Sequence, residues 1–304
     1  MKIKIIIPVY NPDKKFICLL KSITSQSIKN LSVLIIDSGT DYKYRENIQS
    51  MTNITVMDIE AKDFNHGGTR QMGMDICNDG DVFVFLTQDA ILADEYAIEK
   101  LTAVFKKESV GCAYGKQIPH KDAEIFAKIA REFNYGDKSY IRSVFERDKY
   151  GIKTAFISNS FAAYRKIAMQ DVGGFPTKTI LSEDMYVAAK MLLQGWKVAY
   201  QAEAKVFHSH NYTVIQEFKR YFDIGVFHAR ENWIQNQFGK AEGTGIKFVK
   251  YEINKLKYSP LYLTEMIVRD SMKLLGYKLG IREKYLPKAI KGKISMNKKF
   301  WENE

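Results

Sequence analysis

Two adjacent carboxylates, Glu183 and Asp184, open a stretch whose apolar residues recur at helical spacing. A partly buried carboxylate there can take a proton from a sugar hydroxyl, or it can merely complement the positive end of a helix. Thr87-Gln88-Asp89 ends a fully apolar run. A carboxylate in that place can hold a divalent cation against a nucleotide diphosphate, with phosphate oxygens and water supplying the remaining ligands. His208 and His210 flank Ser209 at the end of a late strand-like run, where they either complete such a shell or serve the structure. Asp63-Phe64-Asn65-His66-Gly67-Gly68-Thr69-Arg70 runs into a helical segment. Its glycines allow close backbone approach, the free N–H groups of a helix start favour phosphate, and Arg70 adds a charged contact. The alternative is a Gly-Gly turn beside a surface arginine. Asp37 directly follows a β-branched run, where it can accept the imide N–H of uracil or thymine or cap a turn.

These groups need a scaffold that brings them to one edge. Apolar runs at Lys2–Pro8, Leu31–Ile36, Ile54–Ile59 and Val82–Leu86 read as strands, and Lys15–Gln26, Thr69–Cys77 and Ala93–Lys107 read as helices. Strands this apolar are buried on both faces, which predicts an α/β fold with a mainly parallel central sheet flanked by helices. Ligands of such sheets sit beyond the carboxyl ends of the strands, here Asn11, Asp37, Asp58–Arg70 and Gln88-Asp89. Further along, Lys121–Phe133 and Ser182–Gln194 read as helices. Phe156–Phe161, Lys197–Tyr200 and Lys205–His208 read as strands. From Thr213 onward nearly everything reads as helical, so a catalytic region over 1–212 (halves about 1–110 and 111–212) and a helical extension over 213–304 are expected.

The 304 residues, 46% hydrophobic and 27% charged, exclude a disordered chain or a fibre. No run approaches the roughly 20 apolar residues of a membrane span, and Met-Lys leads straight into a strand without a signal-peptide pattern, so a cytoplasmic location is expected. Cys18, Cys77 and Cys112 form no CxxC pair and read as reduced core thiols. P-loop, dinucleotide, HExxH and GxSxG motifs are absent. The net charge is +11, of which 14 Lys and Arg against 6 Asp and Glu place +8 in residues 247–304. A near-neutral body with a basic tail suits an anionic membrane or a nucleic acid. Clustered acids at the sheet edge would repel nucleic acid, so that partner is not expected. A catalytically dead peripheral membrane scaffold is a further alternative.

Pro8-Val9-Tyr10-Asn11, Asp37-Ser38-Gly39, Thr87-Gln88-Asp89, Gly173-Gly174-Phe175, Glu183-Asp184 and His208, in this order, resemble the inverting glycosyltransferases of family two, which have the nucleotide-sugar-binding fold called GT-A. Phe64–Arg70, Phe85–Ala90, Gln117–Ala123 and Phe207–His210 are similar to the rhamnosyltransferase branch. The resemblance implies that Pro8, Tyr10, Asn11, Asp37, Asn65, Gly68 and Gln88 form the donor side, with Arg70 on the diphosphate. It implies Asp89 with His208 or His210 on a magnesium or manganese ion. Asp184 would be the base, with Glu183 positioning it or the sugar, and His120, Gly173, Gly174 and Phe175 would lie on the acceptor side. One departure stands out: the family usually shows two or three acids where this chain has Thr87-Gln88-Asp89. The implied reaction is transfer from dTDP-β-L-rhamnose, or another UDP- or dTDP-sugar, to a lipid-linked glycan. Basic and apolar residues interleaved over Leu274–Trp301 would then rest on an anionic membrane surface at its cytoplasmic face. A homo-oligomer is left open.

Overall fold

A computed structural model describes residues 1–29, 31–39, 48, 53–240, 242–302 and 304. Its frame is a nine-stranded sheet with two cores, one on each face. β1 (Ile3–Val9) shows how alternation builds both. Ile5, Ile7 and Val9 pack on one side against Phe16, Leu19, Leu20 and Ile23 of α1 (Lys14–Thr24). Ile6 packs on the other with Ile36 of β2 (Ser32–Asp37) and Met74. β3 (Ile54–Asp58) pairs with β2, and α2 (His66–Ile76) carries Met74 onto the second face. β4 (Val82–Leu86) lies beside β1, and these four strands are all parallel. Pro8 has no N–H to donate, and the β1–β4 ladder stops at Ile6 opposite Phe85.

The far half of the sheet is mixed rather than parallel. β5 (Ile91–Leu92) and α3 (Ala97–Thr102) lead to β6 (Val110–Ile118). After α4 (Ile125–Asn134) and β7 (Tyr140–Arg142), β8 (Phe161–Arg165) runs antiparallel between β4 and β6. Phe156–Ser160 is therefore a loop, not the expected strand. Its Ser158 and Asn159 spend their polar groups on side chains of the cleft instead of on a ladder. The helix expected from Lys121 begins at Ile125, after a turn closed by the Ala123 N–H on the His120 carbonyl. α5 (Glu183–Leu193) precedes β9 (Lys197–Phe207), one continuous strand parallel to β6 where two short ones were expected. Cys77 and Cys112 are buried as expected, whereas Cys18 faces outward on α1.

The C-terminal helices share the sheet's core. α6 (Val214–Arg230) begins with a reciprocal cap between Thr213 and Gln216 and buries Phe222, Val226 and Phe227. α7 (Glu242–Leu256) and α8 (Pro260–Ile281) follow, then α9 (Lys288–Ile294) and α10 (Lys298–Glu302), whose Trp301 sits in that core. α6 and α8 touch backbone to backbone. A methyl group on Gly280 would lie 2.1 Å from the Phe222 carbonyl oxygen, and one on Gly276 would lie 2.3 Å from that of Phe218. In an open helix Gly280→Ala would stabilise by about 1 kcal/mol. Here crowding reverses the sign, and thermal denaturation should show a loss of about 1–3 kcal/mol. A Tm equal to or above that of the wild type contradicts this packing.

Candidate active site

The acid pair faces two ways from the first turn of α5. Glu183 points inward, where its Oε1 lies 3.1 Å from an Arg70 guanidinium nitrogen and accepts from the Asn159 side-chain amide at 2.8 Å. Burial alone would raise its pKa, but Arg70, His66 and Asn159 hold it below the ordinary carboxylate range. Asp184 points into the main cavity. Its two oxygens accept the backbone N–H groups of Asn159 (3.1 Å) and Met185 (2.8 Å), which fix its plane. Burial, and then the neighbouring Glu183 charge, push it up to about 7. The pair is thus split: Glu183 is held toward its ionised form inside, and Asp184 toward its protonated form at the cavity wall.

Arg70, expected on the diphosphate, is turned toward the acid pair. It is 5% exposed, and the nitrogen that meets Glu183 also donates to the His66 carbonyl at 2.7 Å. Asn65 caps α2 by accepting from both the Gly67 and Gly68 N–H groups, so the amides expected at a phosphate already have an internal partner. Gly67 is needed for packing, since a methyl group there would fall 1.8 Å from the Pro176 carbonyl oxygen. In the expected acceptor-side turn Gly173 is exposed, whereas Gly174 and Phe175 are buried. Gly173 and Gly174 have φ of +78° and +74°, and the Phe175 N–H donates to Gln71. Phe175 stacks edge-on against Phe85 and Tyr164. None of these three residues lines the main cavity.

Asp89, His208 and His210 come together, with one potential ligand atom from each lying within 4.8 Å of the others. The chemistry of the set points to a cation. His208 Nδ1 is 2.8 Å from Gln117 Oε1, an oxygen that also accepts from Arg131. That acceptor requires a proton on Nδ1 and turns the bare Nε2 toward Asp89 Oδ2, 3.4 Å away. Burial and the neighbouring cations hold His208 far below its ordinary pKa, and burial lowers His210 to about 4. The imidazoles are therefore neutral near pH 7, and at His208 the contact sets a lone pair against a carboxylate lone pair rather than forming an ion pair. A divalent ion between them relieves that repulsion. His120 supports the same loop from behind. Its Nε2 is 3.1 Å from the Asp89 carbonyl, and its N–H donates to Ser209.

Beyond the carboxyl ends of β1 and β4, Gln88 clamps Tyr10 by accepting from its N–H (2.8 Å) and donating to its carbonyl (3.1 Å). Tyr10 itself is half exposed, and Asn11 adopts a positive φ of 42°. Asp37 is buried and accepts from the Gly39 N–H, which is the turn-capping geometry. From the other end of the chain, Lys299 places its amine 4.6 Å from the Tyr10 ring centre and donates to the Ala61 carbonyl. Sequence reasoning missed Arg220. It lines the cavity from α6, stacks on Tyr212, and lies near enough to His66, His208 and His210 to lower all three. Among the described residues its guanidinium meets no carboxylate at ion-pair distance. The only sequence signal was a lone Lys-Arg pair on an amphipathic helix. The cavity that joins Asp89, Asp184 and Arg220 has a volume of about 1530 Å³.

Comparison with known proteins agrees with this layout. Residues 4–173 match the family described as Glycosyl transferase family 2. The whole chain is 47% identical over 304 residues to the O-antigen chain rhamnosyltransferase RfbN of Salmonella typhimurium, covering 97% of that protein. It is 43% identical over 301 residues to the O-antigen chain rhamnosyltransferase WbaN of Salmonella anatum, covering 98% of this chain and 95% of that one. Among solved structures, a Pyrobaculum calidifontis mannosyltransferase in complex with GDP-Man and Mn2+ matches with a TM-score of 0.65 at 14% identity, covering 93% of this chain and 88% of that one. S. aureus TarS (residues 1–349) with UDP-GlcNAc matches at 0.58 and 13%, covering 93% and 91%. At these identities the two structures bear on fold, and they share the GT-A layout.

The cation set makes a direct prediction. Titration of the protein with Mn2+, followed by electron paramagnetic resonance, should show one site that Asp89→Ala and His208→Ala each weaken at least tenfold. An affinity unchanged in both variants would remove Asp89 and His208 as ligands.

Proposed function

The chain belongs to glycosyl transferase family 2, and from that premise we propose that it moves L-rhamnose from dTDP-β-L-rhamnose to a hydroxyl of a lipid-linked cell-surface polysaccharide intermediate. The observation that carries the proposal is Asp184, a fixed carboxylate with a raised pKa that shares a cavity with the cation set. The rhamnosyl assignment draws on the O-antigen rhamnosyltransferases that match nearly the full chain.

In this reading the nucleoside lies along Pro8, Tyr10, Asn11 and Asp37, beyond the end of the β1–β4 ladder. Asp89, His208 and His210 would hold a divalent cation, manganese or magnesium, which when bound supplies positive charge to the leaving diphosphate. Arg220 faces the same charge and takes the role that buried Arg70 cannot. The acceptor hydroxyl approaches Asp184, which removes its proton as the oxygen attacks the anomeric carbon. The sugar–phosphate bond breaks on the opposite face, so the product is an α-L-rhamnoside. Glu183 stays ionised and keeps Asp184 basic.

The C-terminal helices support a membrane-facing reading in part. Trp301 and Phe300 turn into the core and Lys291 pairs with Glu283, so these residues hold the fold. Leu274, Leu275, Ile281, Tyr285 and Ile290 remain exposed beside Lys278, Lys284, Lys288 and Lys293. That outer set, not the whole tail, would meet an anionic surface at the cytoplasmic face of the membrane. No helix among the described residues is long and apolar enough to cross a membrane.

Two measurements test the catalytic assignment. Asp184→Asn should lower transfer by about 10²–10⁴ with little change in donor affinity. The base must be ionised and its pKa is raised, so wild-type kcat/KM should climb with pH through about 7. A variant near the wild-type rate would pass the role to Glu183. The two arginines should also separate. Arg220→Ala is expected to weaken donor binding at least tenfold at unchanged thermal stability, whereas Arg70→Ala should lower Tm by uncovering Glu183. The opposite pattern returns the diphosphate to Arg70. If dTDP-rhamnose is inert in a panel of nucleotide sugars and another UDP- or dTDP-sugar is consumed, the donor assignment falls while the mechanism stands.

A further inference from the structure

The chain's last helix reaches the carboxyl ends of the first strands, and the fold fixes how it does so. Asp223 of α6, with no exposed surface, accepts from the Ser295 hydroxyl at 2.6 Å and from the Met296 N–H and the Asn297 amide at 2.9 Å each. Further on, Trp301 is buried in the core beside Phe222. Lys299 lies between these two anchors, so its course is set by its neighbours. Its amine stands 4.6 Å from the Tyr10 ring centre and donates to the Ala61 carbonyl at 3.1 Å. Tyr10 follows β1, and Ala61 comes after β3. The Tyr10 ring in turn lies against the turn that follows β2, where a methyl group on Gly39 would meet it at 3.4 Å. Lys299 therefore sits beyond the ends of three neighbouring parallel strands, which is where ligands of such sheets bind.

Among the described residues no carboxylate reaches the Lys299 amine at ion-pair distance. Nearby lysines differ: Lys298 pairs with Glu302, and Lys291 with Glu283. A ring face and one carbonyl offer only partial negative charge, since a cation–π contact near the surface is weak. A lysine amine also keeps N–H donors to spare after one is used on Ala61. The place and the sign together call for an anion beside Tyr10. We propose that Lys299 is a donor-binding residue whose amine meets the diphosphate of the sugar nucleotide where it joins the nucleoside. The proposal rests on the donor reading above and deepens it with a contact from the far end of the chain. Lys299 and Arg220 would then hold different parts of the donor. Arg220 lines the cavity that contains Asp89 and Asp184, on the side of the bond that breaks, whereas Lys299 lies outside that cavity beside Tyr10.

Calorimetry of dTDP and of UDP on the full chain, with Mg2+ present, is the test. Whichever nucleotide binds the wild type should bind Lys299→Met at least fivefold more weakly, with Tm unchanged. That substitution keeps a stem over Tyr10 and removes the charge. Lys299→Arg should keep most of the affinity. Because the contact joins two charges, binding should also depend less steeply on salt in Lys299→Met than in the wild type. An affinity unchanged in Lys299→Met overturns the proposal. So does a loss with the salt dependence unchanged, which would mark a packing role. Should Lys299→Met lower Tm, Lys299→Gln repeats the comparison with a polar side chain. The two readings separate cleanly. If a nucleotide binds the wild type and the variant alike, the Lys299 contact falls and the donor reading stands. If the wild type binds neither nucleotide, the donor reading falls and takes this contact with it.

Discussion

The contact between Arg70 and Glu183 is the constraint on which the site depends. Two neighbouring carboxylates on one helical turn, both removed from bulk water, repel strongly in a medium of low polarity. One of them can stay ionised only if a cation reaches it. Arg70 does so from α2, and its position depends on how closely α2 approaches the chain at Pro176, which in turn requires the missing side chain of Gly67. With Glu183 matched, burial first and then the charge that Glu183 keeps raise the proton affinity of Asp184. The ion pair acts on the chemistry through the electrostatics of its neighbour, and Arg70 needs no contact with the substrate to matter.

The end of the chain closes the same arrangement. Asp223, in the middle of α6, accepts from the Ser295 hydroxyl, the Met296 N–H and the Asn297 amide. Asn297 Oδ1 then lies 3.2 Å from His66 Nε2, and His66 is one of the groups that lower the pKa of Glu183. Lys299, two residues on, reaches Tyr10 at the donor edge. The residues after 213 are therefore part of the site's construction as well as a surface. Backbone contact at Gly225, Gly276 and Gly280 sets where α6 can lie, and so where Arg220 and Asp223 point.

Local pattern made the frame legible. The apolar runs at Lys2–Pro8, Leu31–Ile36 and Val82–Leu86 read as strands covered on both faces, and the order of short motifs around Asp37, Asp89 and Glu183-Asp184 indicated the family. Asp89 with both histidines was legible too, because each ends a strand at the same edge of one sheet. What was not legible depends on partners distant in sequence. Arg70 read as a free cation because its match, Glu183, lies more than a hundred residues away. Gly173-Gly174-Phe175 read as a ligand loop, although its glycines answer to a turn against Gln71. The Phe156–Phe161 run looked like a strand because hydropathy does not show that Asn159 is bound to an acid pair. Arg220 carried no motif at all; α6 packing alone aims it into the cavity.

If Glu183 raises Asp184 by its charge, removing that charge must lower the proton affinity of Asp184 and leave the carboxylate where it is. The most direct test is the pH dependence of kcat/KM for Glu183→Gln, set against that of the wild type. The acidic limb, near pH 7 in the wild type, should move to lower pH in the variant, whatever the change in absolute rate. An acidic limb that stays in place or moves to higher pH would contradict the account.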